Sequence, residues 1–291
     1  SKTSAGNFFE DFRIGQEIRH ATPRTLTEAD AALNVGLYGS RFAINSSDEF
    51  ARTLGLPRAP LDDLMVFHVV IGKTVPDISL NAVANLGYAE FLWGVPVYPG
   101  DTLSAHSKVL GLRENSNRSS GVVWVRSTGV NQRGEMVLDY VRWVMVHKRD
   151  PAAAVAAPVV PKTAPSVAPS DLVVPAGLSL AAYDDVAAGS PHRWEDYEAG
   201  ERIDHISGMT LEDSDHMLST RLYQNTARVH FDAFAGKTTR FGRRLAYGGH
   251  VISLARALSF NGLANGFRVA AINAGSHVAP TFGGDTIYAW S

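Results

Sequence analysis

The chain has no cysteine. Disulfides, thiolate nucleophiles and cysteine-type metal sites are excluded, and the absence fits a reducing compartment. A dominant charge is also missing: 27 Lys and Arg stand against 29 Asp and Glu, a formal net charge of -2. Nothing in that balance favours a nucleic-acid or membrane-surface partner. The most apolar run, "LMVFHVVIG" from Leu64 to Gly72, contains His68 and is far shorter than the roughly 20 residues that span a bilayer. The opening "SKTSAGNFFEDF" carries charges and no apolar h-region, so it is no intact secretory signal. Its start at Ser1 without methionine is what processing or trimming would leave, and a cytoplasmic protein is expected. The ten histidines include no HxH or HExxH spacing. "DSDH" at Asp213 to His216 reads as an acidic helix start, so no metal is expected. "GGDT" and "PGDT" lack phosphate-loop spacing, and no serine stands in a nucleophile-elbow context.

What is present is a duplication. The 291 residues, 45% of them hydrophobic, suffice for two domains or one repeated architecture. "NFFEDFRIGQEIRHATPRTLTEADAALNVGLYG" from Asn7 aligns without gaps with "HRWEDYEAGERIDHISGMTLEDSDHMLSTRLYQ" from His192, at an offset of 200 − 15 = 185 for Gly200 and Gly15. Glu10/Glu195, Ile18/Ile203, His20/His205, Leu26/Leu211, Asp30/Asp215 and Tyr38/Tyr223 are among the identical pairs. "YPGDTLSAHS" (98–107) returns as "FGGDTIYAWS" (282–291), with 285 − 101 = 184 for the Asp pair. Between the copies, "RDPAAAVAAPVVPKTAPSVAPSDLVVPAG" is rich in Ala and Pro and reads as an extended, semi-rigid linker. The expected organisation is an N-terminal repeat over 1–148, a linker over 149–191 and a C-terminal repeat over 192–291.

Each copy opens with a strand, near Glu17 to Ala21 in the first. Thr25 and Glu28 have capping-box spacing and predict a short helix through Leu33 and Leu37. A second helix follows: Val251, Leu254, Ala255 and Leu258 fall at i, i+3, i+4 and i+7, and the first copy places "LMVFHVVIG" there, apolar all round and hence buried. Strands are predicted at "TLSAHSKVLGL", "GVVWVRSTGV" and "MVLDYVRWVMVHKR". A long helix followed by consecutive strands predicts an α+β fold, a helix packed in an antiparallel sheet. The second copy stops at Ser291, the counterpart of Ser107, and so is expected to be C-terminally truncated, short of its last strands.

The copies differ where chemistry is expected. "RLYQNTARVHFD" (221–232) places His230 where "GLYGSRFAINSSD" (36–48) has Asn45. Imidazole exchanges a proton near neutral pH, whereas the Asn225 amide can only orient a neighbour or a water. Gly248 and Gly249 precede the helix at Val251, where N–H groups and a partial positive charge suit an oxyanion. The first copy has "LDD" (61–63) there, without glycine and with acids that would repel one.

"NTARVH" and "YGGHVISL" resemble the motifs of the MaoC-like, or (R)-specific enoyl-CoA hydratase 2, family of hot-dog proteins. Asn225 replaces that family's Asp, and Ala227-Arg228 replaces its Asn-Pro. Over both copies the chain is similar to the mesaconyl-CoA hydratase (β-methylmalyl-CoA dehydratase) family, the Asn225 departure included. That resemblance implies a double hot-dog fold, a CoA-thioester substrate, reversible hydration of a branched dicarboxylic enoyl-CoA, no separate cofactor or metal, and homodimers or larger homo-oligomers. It puts Gly248 on the oxyanion donor and Tyr247 on the family's downstream His. The expected catalytic set is His230, Asn225 and Gly248, with His230 carrying the proton transfers beside Asp232 or a residue of the other repeat. Gly249, Tyr247, Arg228, Arg244 and His250 are expected to bind substrate, with Arg243 a further candidate for its carboxylate. The alternatives are a general enoyl-CoA hydratase, a hot-dog thioesterase and a non-catalytic acyl-CoA-binding protein.

Overall fold

The computed structural model describes residues 2–291. The first copy runs β1 (Glu17–Arg19), β2 (Arg24–Thr25), α1 (Glu28–Tyr38), α2 (Ala43–Ser46), α3 (Asp48–Thr53), α4 (Asp63–Thr74), β3 (Ala82–Trp93), β4 (Thr102–Glu114), β5 (Ser120–Val130) and β6 (Met136–His147). Its antiparallel sheet has the order β1-β4-β5-β6-β3, with β2 also on β4. The predicted strands at β1, β4, β5 and β6 are all found. The capping box is not where the sequence placed it. Thr25 lies in β2 with its hydroxyl 2.7 Å from that of Thr102, and Thr27 and Asp30 form the box instead.

Asp62 caps α4 by accepting the Leu64 and Met65 N–H groups. Every residue from Leu64 to Thr74 is buried, as an all-apolar helix requires when a sheet wraps it. Phe67 meets Phe91 and Tyr140 edge-on at 5.2 and 6.0 Å, and Phe91 stacks on Tyr140 at 4.5 Å. Burying each such ring is worth about 1.5–3 kcal/mol before entropy is counted.

The chain then follows the surface of the first copy. Val159 bridges Leu112, and Ser179 N–H reaches the Leu54 carbonyl. After α5 (Asp185–Ala188) come β7 (Asp204–Thr210), α6 (Asp213–Leu222), α7 (Arg228–Phe231), α8 (Ala233–Gly236), α9 (Gly248–Leu258), α10 (Phe260–Leu263), β8 (Ala271–Ser276) and β9 (Thr286–Trp290). The duplication is visible in three dimensions: α6 and α9 begin 213 − 28 = 185 and 248 − 63 = 185 residues after α1 and α4. β7 pairs β9 as β1 pairs β4. β8 joins the first copy's sheet along β3, where Ala89 faces Ala274, and 274 − 89 = 185. Each of these alanines faces its own counterpart, so a pseudo-twofold axis passes between them. No strand lies between β9 and β8 among the described residues. No helix among them is long and apolar enough to cross a membrane.

Candidate active site

The copies share one hydrophobic core, and polar side chains also meet across the axis. α1 packs on α6, and Tyr223 donates its hydroxyl to Asn34 Oδ1 at 2.6 Å. His68 of α4 lies 3.1 Å from the Tyr247 hydroxyl and 2.7 Å from Ser253 Oγ. Gly72 makes the close approach possible: a β-carbon there would stand 2.0 Å from the Tyr223 carbonyl oxygen. The segment carrying Asn225 and His230 thus rests directly on the buried helix of the other repeat.

Asn225 is buried, and its Oδ1 accepts the Ala227 N–H at 3.1 Å. That bond builds the turn into α7. His230 follows on α7 with Nδ1 2.9 Å from the Leu245 carbonyl. A carbonyl only accepts, so Nδ1 carries the proton and Nε2 of the neutral ring keeps its lone pair. Burial, opposed by the Leu245 bond, lowers the His230 pKa to about 4. The first copy holds the same bond without the second nitrogen: Asn45 Nδ2 donates to Pro60 O at 3.1 Å, and 60 and 245 differ by 185 as 45 and 230 do.

Tyr247 is the N-cap residue of α9, but no side chain caps the helix. Its own N–H is taken by His216 Nε2 at 2.8 Å. The N–H groups of Gly248 and Gly249 bond to no group among the described residues. An open helix N-terminus of this kind is an anion site. In the first copy Asp62 fills the corresponding position and satisfies the Leu64 and Met65 N–H groups, counterparts of Gly249 and His250. Burial raises the pKa of Asp63, the counterpart of Gly248, to about 7 against the opposing pull of Arg268. One helix N-terminus is left open and its twin is capped.

The remaining expected residues divide. Tyr247 and His250 are buried at the site, His250 Nδ1 lying 3.3 Å from the Tyr38 hydroxyl. Arg244 is ion-paired with Asp213 at 2.9 Å, and Arg243 donates to the Gly283 carbonyl, so both guanidinium groups already have partners. Arg228 is exposed on α7 and forms no ion pair with the described residues. Asp232 accepts the Ala235 N–H and caps α8. Three residues the sequence reading passed over also converge here. His216 fixes Tyr247. Tyr88 of β3 approaches His277, 3.4 Å from its Nε2. The His277 ring lies against Gly248, whose β-carbon would stand 2.4 Å from Cε1. A second polar chain, Asp77–His20–Ser107, has contacts of 2.7 and 2.8 Å in triad order, but Ser107 is sealed in the sheet at 1% exposure and cannot meet a substrate.

The sequence profile of the family described as "Mesaconyl-CoA hydratase" matches residues 1–291. The chain belongs to the mesaconyl-CoA hydratase family. It is 65% identical to a mesaconyl-CoA hydratase of Cereibacter sphaeroides over 291 residues, all of this chain and 84% of that one. It is 62% identical to a β-methylmalyl-CoA dehydratase of Chloroflexus aurantiacus, covering 83% of it. Among solved structures, a putative MaoC-domain dehydratase from Chloroflexus aurantiacus superposes with a TM-score of 0.97 at 62% identity, over the whole of this chain and 83% of that one. A Mycobacterium tuberculosis protein described as a double hot-dog fold superposes at 0.77 with 27% identity, over 97% of this chain and 84% of the other. The α+β architecture of this family member is therefore the double hot-dog.

Proposed function

We propose that the chain is a hydro-lyase that reversibly hydrates mesaconyl-CoA to β-methylmalyl-CoA. The observation that carries this reading is one-sided. His230 commits Nδ1 to the Leu245 carbonyl and presents Nε2 as a base, in the same copy that leaves the Gly248 and Gly249 amides open. Water addition to a conjugated thioester needs those two functions together, a base for the water and donors for the enolate oxygen. His230 takes the proton of the attacking water. The amide of Gly248 holds the thioester oxygen, with Gly249 beside it. Tyr247 and His250 line the acyl pocket, and Arg228 is the candidate partner for the distal carboxylate. Asn225 acts through the turn that aims His230.

A thioesterase would need a carboxylate nucleophile or base at the same place. Asp232 is occupied as a helix cap, while Asp62 and Asp63 lie in the closed copy. The test is to incubate the chain with mesaconyl-CoA and follow the absorbance of the conjugated thioester. Loss of that absorbance without free CoA supports the hydratase. Release of CoA would establish a thioesterase, hydration of crotonyl-CoA alone a general hydratase, and no change with either thioester a binding protein.

A further inference from the structure

We propose that His277 is the second proton-transfer residue, the acid that protonates Cα while His230 deprotonates water at Cβ. The inference rests on the hydratase reading and adds a residue to it. Three observations lead there.

The first is position. His277 follows β8, and its ring lies across Gly248, the residue whose amide meets the thioester oxygen. Cα is one bond from the thioester carbon, so a ring against Gly248 is placed for Cα, while His230, reached past Tyr247 with ring centroids 5.6 Å apart, is placed for Cβ.

The second is access. His68, His216 and His250 are buried at 0%, 3% and 1% exposure, with ring nitrogens engaged by protein groups. His230 and His277 are only partly buried. Of the five histidines gathered here, these two can exchange protons with something outside the protein.

The third is the duplication. The offset passes from 185 at Ala89/Ala274 to 184 at the two "GDT" segments across the irregularity at Glu90, and beyond it His277 corresponds to Trp93, since 277 − 93 = 184. Each ring meets the counterpart residue: Trp93 Nε1 donates to the carbonyl of Asp63, the counterpart of Gly248, at 2.7 Å, and the His277 ring lies against Gly248. The copy that has lost the base at Asn45 and the open amides at Asp63 has also lost the imidazole at Trp93. A histidine kept only for packing would have no reason to vanish with the other two.

The step balances. The water oxygen bonds to Cβ and its proton passes to His230 Nε2. The π pair moves onto the enolate held by Gly248, and the enolate takes a proton from the His277 imidazolium. His230 ends protonated and His277 neutral, and proton exchange through the cleft resets them. The groups facing His277 are Tyr88 from β3, Gly248 from α9 and His230 from α7. No carboxylate stands among them, and burial lowers the His277 pKa below 6.5 in the free chain. The negative charge that develops on the enolate at Gly248, beside this ring, favours its protonated form whichever enoyl-CoA is bound.

The experiment compares wild type, His277→Gln and His277→Gly on whichever enoyl-CoA the wild type hydrates. Wild-type inactivity on mesaconyl-CoA with turnover of crotonyl-CoA would overturn the substrate assignment and leave His277 testable on the latter. For a general acid we expect kcat to fall roughly 10²–10⁴-fold in His277→Gln with KM changed only a few-fold. We also expect added imidazole to restore turnover in His277→Gly, which a packing role would not permit. Thermal melts of both variants establish that they are folded, and rescue by imidazole in either fold-competent variant supports the proposal. A kcat within about threefold of wild type in His277→Gln, or a folded His277→Gly that imidazole does not rescue, overturns it.

Discussion

His68 Nε2 and Ser253 Oγ are 2.7 Å apart, and the two residues are counterparts in the repeat, with 253 − 68 = 185. In a symmetric dimer this position would place like beside like. Fusion of the copies into one chain lets an imidazole and a hydroxyl complement each other there, with the Tyr247 hydroxyl on the other ring nitrogen. The same freedom lets Asp62 cap the helix N-terminus on one side while the one at Gly248 has no side-chain cap.

Ser253→Ala removes the partner of a fully buried imidazole nitrogen. Leaving such a group unsatisfied costs about 1–3 kcal/mol. Chemical denaturation of the variant should show that loss, and a change below about 0.5 kcal/mol would mean that the bond does not join the repeats.

Stability should fall on mild acidification. Burial lowers the pKa of His68 and His216 to about 3 and that of His230 and His250 to about 4, against an ordinary 6.5. Below pH 6.5 the unfolded chain takes up protons that the folded chain refuses. The contribution is therefore complete above that pH and is lost as pH falls toward 4 and then 3. Each histidine adds a slope of up to about 1.4 kcal/mol per pH unit. Unfolding titrations between pH 7 and 5 should give a shallower slope for His250→Gln than for wild type. Equal slopes would show that His250 is protonated in the folded state.

Much of this was readable in the sequence, because a duplication carries its own control. The Asn45/His230 and Asp63/Gly248 differences needed only the 185-residue offset, and the buried α4 needed only its apolar run. β3 was harder: Ala82–Trp93 is interrupted by register shifts and by Glu90 at a φ of 53°, which blur its alternation. His216 was hidden because its role is a bond to the Tyr247 N–H 31 residues away, while locally it sits in an acidic helix start. His277 had a signal, its alignment with Trp93 ahead of the repeated "GDT", but its place against residue 248, as Trp93 stands against residue 63, is a matter of the folded chain alone.

Gly72→Ala reverses the usual sign of its class. Alanine ordinarily improves a helix by about 1 kcal/mol over glycine. Here the new β-carbon would stand 2.0 Å from the Tyr223 carbonyl, a backbone atom that cannot swing aside. Overpacking of this kind costs about 1–3 kcal/mol, and the displaced segment carries Asn225 and His230. The variant should melt lower and turn over more slowly, and unchanged values for both would refute the crossing.

Asn225 separates a turn-builder from a catalyst. Its Oδ1 accepts the Ala227 N–H, a bond that an aspartate oxygen also makes. Asn225→Ala should lose about 0.5–2 kcal/mol, the range for losing a capping oxygen, and Asn225→Asp should keep more of the stability at neutral pH. If Asn225→Ala instead left stability and KM intact and abolished kcat alone, the amide would be acting on the substrate or its water.

The sharpest test of His230 is supplied by the other copy. His230→Asn installs the residue found at position 45, whose amide makes the equivalent bond to Pro60 O that His230 makes to Leu245 O. The structural half of the side chain is therefore replaced in kind, and only the free Nε2 is removed. Unfolding free energy should stay within about 1 kcal/mol of wild type, the scale of one hydrogen bond, while hydration falls roughly 10²–10⁴-fold for want of a general base. His230→Ala removes both functions and should lose stability as well as rate, since it also strips the Leu245 carbonyl of its donor. Retained turnover in a stably folded His230→Asn would show that His230 is structural in both copies, and the base would have to be sought elsewhere.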